Sequence, residues 1–369
     1  MIDNLRNLPI QQKIGQLFVI GISGTEVDAD TRTLLDRISP GGICLFSRNV
    51  REALQTRQLL DDLRSVLPVK PILALDQEGG TVDRLRRLVT PMAAAGKVRT
   101  ADDAAEMAAI IGETISLLGF NMDFAPVVDV VDEARTVTSN GLFSRPFGHS
   151  KEDVVALAGR FLSVLQQKGP VGCLKHFPGL GGAGVDAHEE LPVINVTCDD
   201  FFATDLFPYV ELIKSCEVHA VMVAHATFPA VDLQERGQNG KMLPSSLSKH
   251  FITTLLRGDL RYDGLVITDD LEMGAIVKNY GMGEACVMAV EAGNDLLAIC
   301  ADPAAIIEGF DAVNRAFETG RLSEERIDAS LARIGRVKSL LADPPTFDAG
   351  RLEQLSSDIA GFNARLEQD

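Results

Sequence analysis

The chain has 369 residues, 46% hydrophobic and 24% charged, which is the balance of a folded globular protein and not of a disordered one. Lys and Arg number 35 against 52 Asp and Glu, a net charge of −17, so neither nucleic acid nor an anionic membrane is expected as a partner, because phosphate binding needs concentrated basic side chains. No apolar run approaches the ~18 residues of a membrane span, and Met1 to Gly21 lacks the basic start and long apolar core of a signal peptide.

In chain order, short apolar runs alternate with longer stretches of helical spacing. Leu17–Ile22 and Ile43–Phe46 read as strands, and Arg51–Val66 as a helix with Leu59, Leu60, Leu63 and Val66 on one face. The strand Ile72–Leu75 precedes a helix over Ala101–Leu118, where Met107, Ala108, Ile111, Ile115 and Leu118 recur at spacings of three and four. Strands Met122–Pro126, Gly172–His176, Ala220–Ala224, Leu265–Thr268 and Asp295–Ile299 follow. Helices over Lys151–Lys168, Phe202–Ser215, Ser246–Leu256, Met273–Ala292 and Pro303–Thr319 lie between and after them. A last helix, Ser323–Leu341, stops at Asp343-Pro344-Pro345. Continuous apolar strands suit a parallel sheet buried on both faces. Eight of them alternating with helices predict an α/β fold, a single-domain (β/α)8 TIM-type barrel over residues 1–345. An open doubly wound sheet is the competing arrangement. Residues 346–369 read as a polar tail with a short helix from Arg351.

In such a barrel the reactive groups project from the C-terminal strand ends. The third strand is followed by Asp76-Gln77-Glu78-Gly79-Gly80 and then Arg84. The fourth is followed by Asp129 and later Arg145. The fifth ends in Lys175-His176, ahead of a glycine-rich loop with Asp186-Ala187-His188. His225 ends the sixth and Asp269-Asp270 the seventh, whereas Asn294-Asp295 opens the eighth at the other end and reads as structural. One Asp at a strand end is commonly a helix cap; the convergence of acids, bases and imidazoles at one mouth points to chemistry. Carboxylates with Arg and Lys can bracket the hydroxyls of a pyranose, and cutting a glycosidic bond needs a proton donor and a carboxylate on opposite sides of the ring. Asp269, just after a buried strand, suits the nucleophile, with Asp270 expected to point elsewhere. In the loop, the Asp186 carboxylate would orient the His188 imidazole, which titrates near neutrality and can give and take a proton.

Lys175-His176-Phe177-Pro178-Gly179 followed by Asp186-Ala187-His188 resembles the signature of bacterial exo-β-N-acetylglucosaminidases of glycoside hydrolase family 3. The resemblance extends from Gln12 to about Leu341, through Gly41-Gly42-Ile43 to Arg48-Asn49, Leu75-Asp76-Gln77-Glu78-Gly79-Gly80, Asp123-Phe124-Ala125-Pro126 and Asp269-Asp270-Leu271-Glu272-Met273. It implies a retaining exo-hydrolase that removes terminal β-linked N-acetylglucosamine from cell-wall muropeptides or chito-oligosaccharides. Asp269 matches the family's nucleophile, His188 its acid/base and Asp186 the charge partner. Asp76, Arg84, Arg145, Lys175 and His176 match positions that hold the sugar. Leu180 stands where the family usually has His, and Ala187 where Ser is common.

The resemblance further implies peptidoglycan recycling in the cytoplasm. That compartment agrees with six scattered cysteines (Cys44, Cys173, Cys198, Cys216, Cys286, Cys300) that lack any Cys-x-x-Cys spacing and read as reduced, mostly buried thiols. The expected partner is a small-molecule glycan, with no cofactor and no metal. A barrel metal site built from His176, His188, His225 and Asp269 is disfavoured because the first strand offers no His-x-His and Lys175 sets a cation beside the site. The alternatives are a phosphorylase on the same scaffold, cleavage assisted by the substrate's own acetamido group, and a non-catalytic sugar-binding barrel.

Overall fold

The computed structural model describes residues 5–133, 135–136, 142, 144–184, 191–237 and 240–368. Parallel strands β1 (Phe18–Ile20), β2 (Gly42–Cys44), β3 (Ile72–Leu75), β4 (Met122–Asp123), β5 (Val171–Phe177), β6 (Ala220–Val223), β7 (Leu265–Asp270) and β8 (Leu296–Ile299) follow one another around a closed barrel. β8 returns to β1 through Phe18↔Leu297, Val19↔Ala298 and Ile20↔Ile299, and that closing pair excludes the open doubly wound sheet. The strands form where apolar runs can be buried on both faces: Ile72, Leu73, Ala74 and Leu75 are all fully buried.

Around the barrel run α1 (Ile10–Gly15), α2 (Ala29–Ile38), α3 (Ala53–Val66), α4 (Ala101–Leu118), α5 (Lys151–Gln167), α6 (Phe207–Ser215), α7 (Gly274–Tyr280), α8 (Met282–Ala292), α9 (Pro303–Glu318), α10 (Glu324–Leu340) and α11 (Ala349–Leu366). Side-chain caps fix several of their starts. Thr100 and Asp103 form a reciprocal capping box on α4, and Ser150, Asp302, Ser323 and Asp348 cap α5, α9, α10 and α11. Asn294 and Asp295 serve the base of the barrel, where the Asp295 carboxylate accepts from Arg257 at 2.6 Å, Ser330 at 2.9 Å and the Val266 amide at 3.0 Å.

Four elements differ from expectation; one is the helix expected over Ser246–Leu256, which is a 3-10 turn, Ser245–Leu247, followed by a π-helical segment, His250–Asp259. The helix expected over Phe202–Ser215 divides into a π-helical segment, Phe201–Asp205, and α6, because Pro208 has no N–H to continue the ladder. The helix expected over Met273–Ala292 breaks at Gly281, whose φ of 73° is a glycine conformation. The short helix expected from Arg351 is instead the 18-residue α11, which lays Leu352, Leu355, Ile359 and Phe362 onto α4 and the neighbouring core. No helix among the described residues is long and apolar enough to cross a membrane.

Directly after β3 the chain makes a hairpin in which Gln77–Gly79 pairs antiparallel with Val82–Asp83. Gly79 (φ 88°) and Gly80 (φ 58°) turn it, and a Cβ at Gly79 would stand 2.2 Å from the Ala93 carbonyl, so only glycine lets the segments meet. The Asp83 carboxylate pins the hairpin from inside, accepting from Gln77 Nε2 at 3.0 Å and from the Leu85 and Met92 amides at 2.9 Å.

Candidate active site

The C-terminal strand ends surround one cavity, and Asp76, Arg84, Arg145, Lys175, His176 and Asp269 all line it. Asp186 and His188 lie outside the described residues. β3 and its hairpin supply Asp76, Glu78 and Arg84, β5 supplies Lys175 and His176, and β7 supplies Asp269 and Asp270.

These groups form a continuous chain of alternating charge. Arg84 donates to Asp76 Oδ2 at 3.1 Å, and Lys175 Nζ lies 2.6 Å from both Asp76 Oδ1 and Glu78 Oε1. Arg145 grips Glu78 through two bonds of 2.8 and 2.9 Å. Its Nη2 also stands 3.3 Å from His176 Nε2, while His176 Nδ1 lies 2.8 Å from Asp129 Oδ2. A guanidinium has only donors, so Nε2 accepts and Nδ1 carries the hydrogen toward Asp129. Asp129 Oδ1 also accepts from the Leu180 amide at 2.7 Å, tying the start of the glycine-rich loop to the same unit.

Burial and charge act against each other here. Burial would push the Asp76 and Glu78 carboxyls up, but Lys175 with Arg84, and Lys175 with Arg145, hold them well below the usual carboxylate range. Burial would release the Lys175 proton, and Asp76 and Glu78 hold it on. Among the described residues, Asp123 has no such cation in direct contact. Its Oδ1 accepts from the Gln77 amide at 2.9 Å and its Oδ2 has no partner among them, and burial drives its carboxyl well upward.

Asp269 Oδ1 accepts from the Asp270 amide at 2.8 Å, which fixes that carboxylate at the strand end. Asp270 also lines the cavity, and its Oδ1 accepts from the Glu272 amide at 3.1 Å. The β7–β8 register shifts between Leu296↔Ile267 and Ala298↔Asp270. Burial first, then the nearby Glu272 and Asp269 charges, raises the Asp270 carboxyl to about 7. His225 is wholly buried and does not line the cavity. Its Nε2 donates to the Asp270 carbonyl at 3.0 Å and its Nδ1 accepts from Ser246 at 2.7 Å, and burial favours this neutral form. The residue holds the backbone that carries the two aspartates.

Two site residues, Glu78 and Asp129, stand among the strand-end residues named from the sequence, which assigns neither of them a role. Their partners are 97 and 67 positions away for Glu78 and 47 for Asp129, so their roles exist only in the folded chain. Phe46 forms a further wall, with the Arg48 and Arg84 guanidiniums 4.8 and 5.2 Å from its ring centre.

The sequence profile of the glycosyl hydrolase family 3 N-terminal domain matches residues 9–337. A beta-hexosaminidase of Tolumonas auensis is 31% identical over 299 residues, covering 79% of this chain and 85% of that protein. Beta-hexosaminidase A of Pseudoalteromonas piscicida is 31% identical over 365 residues; the match takes in 93% of this chain, which spans only 58% of that longer protein. Among solved structures, a family 3 β-N-acetylglucosaminidase from Paenibacillus sp. FPU-7 superposes with a TM-score of 0.86 at 36% identity, covering 96% of this chain and 69% of the other. On the extent of these matches, the chain belongs to glycosyl hydrolase family 3.

Proposed function

We propose that the protein is a retaining β-N-acetylhexosaminidase that releases terminal β-linked N-acetylglucosamine from muropeptides or chito-oligosaccharides. The observation that carries this reading is the shared cavity: the Asp269 carboxylate and the Arg84–Asp76–Lys175–Glu78–Arg145–His176 chain line the same pocket. Asp76 has lone pairs left for sugar hydroxyls after accepting from Lys175 and Arg84, and Arg145 presents its remaining N–H groups to the rest of the ring. Because salt bridges within the protein already fix these side chains, little ordering is left to the moment of binding.

In the first step Asp269 attacks the anomeric carbon as the glycosidic bond breaks, and His188 gives its proton to the leaving oxygen. In the second, His188 takes a proton from water, which attacks the same carbon and frees Asp269. Asp186 stabilises the imidazolium formed between turnovers. Support for this assignment comes from the residue match to the family signature and from Asp129 accepting from the Leu180 amide, which ties the start of the glycine-rich segment to His176.

The reading is tested with 4-nitrophenyl N-acetyl-β-glucosaminide beside its glucoside analogue, following the first-formed anomer by NMR. Preferential turnover of the acetamido sugar with β product first is the expected result. Binding without turnover, or α product first, would overturn it.

A further inference from the structure

Asp76, Glu78 and Arg84 all line the cavity, and a residue that does not reach it is joined to each of them. Asp76 and Glu78 both come within 2.6 Å of Lys175 Nζ. Gln77 between them projects the other way, as alternate residues of an extended segment do. It is buried, with its side chain turned into the hairpin and away from the cavity lining. Peptide bonds link it to Asp76 and Glu78, and a hydrogen bond links it to Arg84.

Both ends of the Gln77 side-chain amide are engaged. Oε1 accepts from the Arg84 amide at 3.0 Å and from the Leu85 amide at 3.2 Å, while Nε2 donates to Asp83 Oδ1 at 3.0 Å. Backbone amides donate and a carboxylate accepts, so a side chain here must accept on one side and donate on the other. The Gln77 N–H in turn donates to Asp123 Oδ1 at 2.9 Å, which ties the residue to the end of β4. The Asp76–Arg84 ion pair of 3.1 Å therefore closes a loop whose two ends are both held by Gln77.

We propose that Gln77 is a positioning residue for sugar recognition, setting the places of Asp76 and Glu78 relative to Arg84 without touching the substrate. The inference rests on the cavity being the sugar site of the proposed hydrolase. Asp269 stands on a different strand, where the Asp270 amide fixes it. Loss of the Gln77 bonds therefore loosens the grip on the sugar and leaves the attacking carboxylate in place. The signature is a raised KM with kcat for an activated glycoside nearly constant, the pattern of lost uniform binding.

The test compares Q77M, which keeps the unbranched shape and loses both bonds, with Q77E. The acid introduced by Q77E reproduces the amide while protonated, when its hydroxyl donates to Asp83 and its carbonyl accepts from Arg84 and Leu85. Ionised, it sets a second carboxylate against Asp83. The other charged groups around this position are the flanking Asp76 and Glu78 and the Asp123 that accepts from its amide. On 4-nitrophenyl N-acetyl-β-glucosaminide, Q77M should raise KM about tenfold or more while kcat stays within about threefold of the parent. The KM of Q77E should lie close to the parent's at about pH 5 and approach that of Q77M at about pH 8. Thermal melts at each pH check folding, and calorimetry with N-acetylglucosamine follows affinity without turnover. A Q77M KM within about twofold of the parent, a kcat loss with KM unchanged, or a Q77E KM no better than that of Q77M at about pH 5 would overturn the inference. If Q77M does not fold, Q77E decides alone: a KM raised alike at about pH 5 and about pH 8 would overturn it. A parent that neither binds N-acetylglucosamine nor cleaves the glycoside would overturn the proposed function and this inference with it. A parent that does both, beside variants of parental KM, would overturn the inference alone.

Discussion

At Glu78, whose side chain is 2% exposed, a carboxylate is held between Lys175 and Arg145. Replacing it by the neutral amide leaves two buried cations sharing one fewer counter-charge. Glu78→Gln is therefore expected to lose about 3–5 kcal/mol in denaturant unfolding, and to raise KM for the glycoside because Lys175 and Arg145 lose their fixed positions. A KM unchanged within error would contradict the view that the ion-pair chain positions the sugar. The loop histidine is probed by leaving-group dependence. His188→Ala should slow a nitrophenyl glycoside much less than a natural disaccharide, since a good leaving group needs little protonation. Equal losses on both substrates would rule out an acid role.

At the scale of elements, α11 is a brace for the hairpin that follows β3. Asn363 donates to the Pro91 carbonyl at 2.8 Å and accepts from the Ala93 amide at 3.0 Å; Met92 between them accepts from the Gly80 amide at 2.8 Å and donates to Asp83. Phe362, fully buried, anchors the helix that makes these bonds. Phe362→Ala should cost about 3–5 kcal/mol of stability and raise KM through the hairpin, measured by unfolding and by steady-state kinetics. The opposite end of the barrel holds a titrating element. Lys338 on α10 is wholly buried, donates to Gln16 Oε1 at 2.6 Å, and burial lowers it to about 7. Between that value and the ordinary lysine value the unfolded chain binds a proton that the folded chain does not, so stability rises with pH across this window. Lys338→Met should raise Tm at pH 7 and remove that part of the slope. A variant with the same pH dependence as the parent would exclude this lysine as its source.

For the molecule as a whole, the barrel was legible because its strands are short apolar runs buried on both faces, a pattern local in sequence. Ile72–Leu75 appears in the fold with the bounds its residues predict. What was not legible depends on meetings between distant segments. The β7–β8 register shifts beside Asp270, the Gln77–Gly79 hairpin closes on Ala93, and Glu78 acquires its cations from β5 and from the segment bearing Arg145, both far along the chain. The α11 face was within reach, since Leu352, Leu355, Ile359 and Phe362 recur at spacings of three and four, yet its charged flanks gave it the look of a tail. The candidate site was readable as a set of residues at strand ends, and its order as a chain of ion pairs was not. The central claim, a glycosyl ester on Asp269 formed inside one barrel, is tested most directly by trapping with a fluorinated slow N-acetylglucosaminide and mass analysis of the proteolysed chain. The account predicts one sugar on the peptide containing Asp269 and none in Asp269→Ala; catalytic turnover of this reagent with no adduct, or an adduct elsewhere, would contradict it.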